Sequence, residues 1–319
     1  MIGTPNRFYM HKNPARVPKN WLAFELNILR RLEFKSVSIP FTNNPNLGKY
    51  LKQWNIRVLA NDLFKSSFIK TLANIENNEE KITEEEVRVI LDDAYVPQYK
   101  LKNKALLNWF NETDSWWFDN IRQNIEKLPS EMHKAIALDL GIKVGDYVTS
   151  FDDETRQLRQ PLSQVFKRFW NIEDDPINNN QHNKCHNRTA LEFTAENYTD
   201  LLFLRLPKAH NDTLKKHFGK SAWRDEWVCG NDSFWKEMEK SQHESLGSSI
   251  ETKSQYLNLI TEFFKTAQHI DLWAIEHVED GFIQTQDIVE AISEVRKVDT
   301  IYSKDFSELM GTRAVIITA

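Results

Sequence analysis

The chain has 319 residues, room for one large domain or two smaller ones, each with a sizeable core. Its 41 Lys+Arg against 46 Asp+Glu give a net charge of -5, which excludes a bulk electrostatic drive toward nucleic acid and leaves only a local basic groove. Two cysteines, Cys185 and Cys229, are too few for a disulfide framework and form no C-x-x-C pair; no apolar run reaches the roughly 18 to 20 residues of a membrane span, and MIGTPNRFYMHKNP lacks the apolar stretch of a signal peptide, so a reduced cytoplasmic protein is expected, without metal or membrane.

Helical and strand patterns alternate along the chain, which predicts an α/β core. WLAFELNILRRL (Trp21 to Leu32) is apolar around most of its circumference and reads as a buried helix. KSVSIPF and NIRVLAND read as short strands flanking a helical GKYLKQW segment, a β-α-β unit. From about Leu63 to Trp170 the pattern is helical. Thr83 with Glu86 three residues on is a capping-box signature, and Val87, Ile90, Leu91 and Ala94 then share a face. Trp117, Ile121, Ile125 and Leu128 repeat the spacing, and the helical stretch Met132 to Leu140 is expected to close at Gly141. Past the Asn-rich DDPINNNQHNKCHN, expected to be loop, strands return with TDLLFLRL. YLNLITEFFKTA and IVEAISEV then read as helices, and DLWAIEH, KVDTIYS and TRAVIITA as strands.

Two clusters invite sharper readings. HNKCH (His182 to His186) holds two histidines and a cysteine, all metal ligands by type, but no partner pair occurs elsewhere and a solvent loop is the simpler reading. The ten tryptophans include Trp109, Trp116, Trp117, Trp170, Trp223, Trp227 and Trp235. They suit base-stacking platforms, yet most stand beside other apolar residues at regular spacing, the pattern of core packing.

IPFTNNPNLGKYLKQWNIRVLAND (Ile39 to Asp62) resembles the cofactor-binding region of the D12 class, or Dam-like, adenine-N6 DNA methyltransferases. That family carries Asp-Pro-Phe-x-Gly-x-Gly after its first strand and Asn-Asp after its second; Pro40, Phe41, Asn61 and Asp62 match. DLLFLRLPKAH (Asp200 to His210) falls where the family has a strand ending Asp-Pro-Pro-Tyr, and WFDNIRQNIEKL lies within the stretch corresponding to its helical target-recognition insertion. The resemblance runs through most of the chain in order and spacing, on few matched residues. It implies a Rossmann-like S-adenosylmethionine-dependent methyltransferase sheet built from residues 1–62 and 171–319, with residues 63–170 as the insertion. It also implies S-adenosylmethionine as cofactor, held through Phe41, Asn43, Asn61 and Asp62, and DNA as partner.

The departures fall where the chemistry would be. Asn43 and Pro45 stand at the two glycine positions and Ile39 at the leading aspartate; side chains obstruct an approach that glycine permits, and proline removes an N–H donor, so donor binding is expected to be weakened or lost. Asp62 reads either as a ribose ligand or as a solvated cap of the helix that follows. Aligning strand with strand puts Arg205, Leu206, Pro207 and Lys208 at Asp-Pro-Pro-Tyr. Arginine has only donors and cannot accept from the amine of a flipped adenine, lysine offers no flat stacking surface, and no Pro-Pro occurs in the chain. The late strand DLWAIEHVEDG lacks the family's Ser-Tyr pair.

A catalytically inactive homologue acting as a binding or regulatory protein, toward DNA or a protein partner, is therefore expected. The alternatives are an active adenine-N6 DNA methyltransferase with an atypical site, and an anion or nucleotide binder using Arg205 and Lys208. The insertion carries 15 Lys+Arg and 18 Asp+Glu, no excess of positive charge for phosphates; QYKLKNK (Gln98 to Lys104) and VFKRFW (Val165 to Trp170) are its two basic patches.

Overall fold

A computed structural model describes residues 19–92, 100–152, 154–279 and 281–319. The first described helix, α1 (Lys19–Leu29), leads into β1 (Ser36–Ile39), α2 (Asn46–Gln53) and β2 (Arg57–Asn61). Helices α3 (Lys65–Thr71), α4 (Glu84–Ile90), α5 (Glu112–Ile125), α6 (Glu131–Thr149) and α7 (Leu162–Asn171) follow before β3 (Lys184–His186). The chain continues through α8 (Ala190–Glu196), β4 (Leu201–Arg205), α9 (Leu214–Phe218), α10 (Trp223–Cys229), α11 (Phe234–Ser241) and α12 (Lys253–Thr266). It closes with β5 (Leu272–Glu279), α13 (Thr285–Ser293), β6 (Thr300–Asp305), α14 (Ser307–Met310) and β7 (Arg313–Thr318).

The seven strands form one mostly parallel sheet in the order β3-β2-β1-β4-β5-β7-β6, with β1 to β5 parallel and β7 antiparallel to both its neighbours. The fold is α/β, compatible with a Rossmann-like arrangement. Parallel strands are covered on both faces and so read as continuous apolar runs. LLFLR shows how: Leu202 and Leu204 face a cluster with Ile260, Phe264 and Ile288 from α12 and α13, while Leu201 and Phe203 face one with Phe24 of α1 and Leu47 and Leu51 of α2.

A third apolar cluster contains no strand residue. It joins α3 to α7 through Ile90, Phe118, Ile136 and Phe166, and includes Trp223, Trp227 and Val228 of α10. The helices inserted after β2 thus share their core with a segment that follows β4.

The capping box forms as expected: Thr83 Oγ1 accepts from the Glu86 N–H, and the Glu86 carboxylate accepts from the Thr83 N–H at 2.7 Å. Two other expectations are corrected. Helix α6 does not close at Gly141, because that glycine serves contact rather than termination: a Cβ there would stand 2.1 Å from Cη2 of Trp227. HNKCH is not a loop throughout, since Lys184–His186 pairs with Leu59–Asn61 as the sheet's edge strand and Cys185 packs against the α1–α2 cluster.

Candidate functional site at the carboxyl ends of the strands

In open α/β sheets ligands bind outside the carboxyl ends of the strands, at the point where strand order reverses. Here that point lies between β1 and β4, which are neighbours in the sheet. The segments around it are the β1–α2 turn, the end of β2, and the tips of β4 and β5.

The turn is tied down by the residues that follow β2. The Thr42 N–H donates to the Asn61 carbonyl at 3.0 Å, and the Asn43 N–H donates to Asp62 Oδ2 at 2.8 Å. Asn43 takes the left-handed conformation, with φ 54°, one that asparagine tolerates better than most residues. Asn61 is fully buried: its amide donates to the carbonyls of Pro40 and Arg188, both at 3.0 Å, and its Oδ1 accepts from the Arg188 N–H at 3.1 Å. Asp62 is buried rather than solvated, with Oδ1 accepting from the Phe64 N–H at 3.0 Å. Its burial outweighs the two N–H donors and pushes its pKa up to about 6. Of the residues expected to hold a cofactor, Asn61 and Asp62 tie down the chain through backbone groups, Phe41 packs against the α12–α13 cluster, and Asn43 is exposed.

At the tip of β4, Arg205 faces Glu276 of β5 in register. Its guanidinium forms a two-pronged pair with Glu25 of α1, Nε to Oε1 at 2.8 Å and Nη2 to Oε2 at 3.0 Å, and Nη1 donates to the Thr42 carbonyl at 3.0 Å. One side chain thereby bridges β4 to the end of β1 across the strand reversal. Glu276 Oε2 lies 3.7 Å from Arg205 Nε, beyond hydrogen-bond reach, while Trp21 Nε1 donates to Oε1. Glu25 and Glu276 are both buried, so two carboxyls share one cation. Burial first, and the Glu25 carboxylate second, hold the Glu276 carboxyl well above its usual range. The site's chemistry is a buried acid, an ion pair and an indole donor closed upon themselves.

The alternative anion site was expected at Arg205 and Lys208. The Arg205 fork is already occupied by a carboxylate and a carbonyl, and Lys208 lies three residues on, exposed and outside the cluster. Leu206 and Pro207 carry no side-chain donor, and the Leu206 N–H is spent on the Glu276 carbonyl at 3.0 Å. Sequence reasoning missed Trp21, Glu25 and Glu276; the signal was a glutamate inside an otherwise apolar run, in WLAFEL and again in LWAIEH.

No group of three or more His, Cys, Asp or Glu suited to a metal occurs among the described residues. No described helix is long and apolar enough to cross a membrane. Of the basic patches, Lys100, Lys102 and Lys104 are exposed, as are Lys167 and Arg168, while Gln98 and Tyr99 lie outside the described residues. Among the tryptophans, Trp223, Trp227 and Trp235 are buried. Neither a protein-family model nor a curated protein matches the chain.

Proposed function

We propose that the chain is a homologue of the D12 class adenine-N6 DNA methyltransferases that has lost catalysis and acts as a binding or regulatory protein. The strand order β3-β2-β1-β4-β5-β7-β6, with β7 antiparallel, and the helices inserted after β2 agree with what the sequence resemblance implies. The observation that carries the loss of catalysis is the bridge from Arg205 to Glu25 and to the Thr42 carbonyl, which occupies the place between β1 and β4 where a donor and a target base would meet. A flipped adenine needs an acceptor for its amine and a flat ring to stack on. At the aligned positions stand a guanidinium already engaged and an exposed lysine.

Calorimetric titration with S-adenosylmethionine and S-adenosylhomocysteine, carried to millimolar concentrations, tests this reading. No heat from either compound is expected. Binding followed by methyl transfer to adenine-containing DNA would overturn it. DNA remains the partner class that the resemblance implies, with Lys102, Lys104, Lys167 and Arg168 as exposed candidate phosphate contacts. Binding through them would fall linearly in log–log terms with salt, and the absence of any salt-dependent duplex binding would remove DNA from the reading.

A further inference from the structure

The inserted helices border an open-sided cavity of about 350 Å³ against the β1–α2 turn. It is lined by Asn44 of that turn, Lys70 and Asn74 around α3, Asp139 and Ile142 of α6, and Phe169 of α7, among others. The volume lies within the roughly 300 to 1,000 Å³ typical of small-molecule sites.

Lys70 is the group left over. It is half-buried, and among the described residues its ammonium makes no hydrogen bond or ion pair. The carboxylates near enough to act on it are committed elsewhere. Asp139 Oδ2 accepts from Lys143 at 3.1 Å and from Asn74 at 3.2 Å, Asp146 Oδ1 accepts from Arg224 Nε at 2.8 Å, and Asp62 is held by two backbone N–H groups. The other two lysines on the cavity wall also have partners: Lys49 pairs with Asp174 at 3.1 Å, and Lys143 also reaches Glu173 at 2.6 Å. Burial, and after it the Arg224 guanidinium, lowers the Lys70 pKa, as fits an ammonium short of a counter-charge.

We infer that this cavity binds a small monocarboxylate with an apolar body, its carboxylate supplying the partner that Lys70 lacks. A single negative charge is specified because Asp139, Asp146, Glu173 and Asp174 line the same space and repel a dianion. An apolar body is specified by Ile142, Phe169 and Ile172, the last 67% exposed. The inference stands apart from the proposed loss of methyl transfer, which rests on Arg205 and Glu25.

The test uses the full chain and benzoate. Trace acetylation with acetic anhydride modifies only neutral amines, and peptide mass mapping reads each lysine separately. Millimolar benzoate is expected to lower labelling at Lys70 several-fold, both by covering the amine and by favouring its protonated form, while exposed Lys297 is unchanged and inorganic phosphate protects neither. Unchanged labelling at Lys70, or equal protection by phosphate, would overturn the proposal. Lys70→Gln should abolish the heat of benzoate binding in calorimetry; the mapping on the unaltered chain decides the matter even where that variant fails to fold.

Discussion

The tips of β4 and β5 and the inserted helical cluster are both filled by large side chains from distant parts of the chain, but with opposite chemistry. At the strand tips the filling is Arg205, Glu25, Glu276 and the Trp21 indole. In the inserted helices it is Phe118, Trp223 and Trp227, with the tryptophans lying over Gly141 and Gly145. Apolar packing draws on area removed from water and is indifferent to pH. A buried charge cluster draws on each member having its partner and is sensitive both to the loss of one member and to protonation. The two regions should therefore fail in different ways.

Removing one partner at the strand tips should give the largest effect. Glu25→Ala leaves Arg205 with the Thr42 carbonyl, the Phe203 ring at 5.3 Å and a carboxyl at 3.7 Å, and is expected to cost about 3–5 kcal/mol in urea unfolding, the range for breaking a buried pair. Replacing Glu25, Arg205 and Glu276 together by leucine or methionine should cost far less, or even stabilise, because no charge is left stranded. If the triple variant is as unstable as the single one, the cluster is not behaving as a set of mutually dependent charges.

Protonation comes next. Asp62 has a folded-state pKa of about 6 against the usual 3.8, so between those values the native state holds more proton than the unfolded chain, and stability falls as pH rises through that window. The stabilisation is complete below the lower value and gone above the upper one, at most roughly 3 kcal/mol at about 1.4 kcal/mol per pH unit. Glu276, also raised, adds a loss of the same sign. Subtracting the urea-derived stability curve of Asp62→Asn from that of the unaltered chain isolates the Asp62 part. A difference flat between about pH 4 and 6 would mean that burial does not disfavour this carboxylate.

The helical cluster should answer to volume alone. Gly145→Ala would put a Cβ 2.0 Å from Cη2 of Trp223, and forcing atoms into a packed interior typically costs about 1–3 kcal/mol. That loss should be nearly the same at pH 4 as at neutrality, within about 0.5 kcal/mol, since the nearest atoms such a Cβ meets all belong to the uncharged Trp223 indole. A pH-dependent loss would couple this region to the charged one.

How much of this was legible differs between the same two regions. The β-α-β unit, the Thr83 capping box and the strands DLWAIEH and TRAVIITA could be read because each pattern is local: period, cap or apolar run. Gly141 was misread because a glycine that ends a helix and one that admits an indole look alike in sequence, and the indole arrives from α10, far along the chain. Lys184–His186 looked like loop because an edge strand of three residues among asparagines has too short a pattern to register. At the strand tips Arg205 was visible as a cation ending an apolar run, but its partner Glu25 sits 180 positions away, and no periodicity connects two such residues. Asn61 and Asp62 were found by resemblance, yet their commitment to backbone groups is a matter of geometry alone.

The smallest effect concerns the two thiols, one against the sheet core beneath α1 and one against the helical cluster. Cys185 stands on β3 against the cluster beneath α1 and α2, and burial, with Glu76 beside it, pushes its pKa far up. Cys229 ends α10, which follows β4 and shares the core of the inserted helices, and burial, with Asp225 beside it, pushes its pKa up to about 12. The thiolate is the nucleophile, so at neutral pH neither should react appreciably with iodoacetamide in the folded protein, and both should react once urea has unfolded it. If the rate at Cys229 rises in Gly145→Ala but not in Glu25→Ala, and that at Cys185 does the reverse, the two regions open separately. If both rates rise together in either variant, the charged strand tips and the apolar helices unfold as one cooperative unit, and the contrast between them is one of chemistry and not of stability.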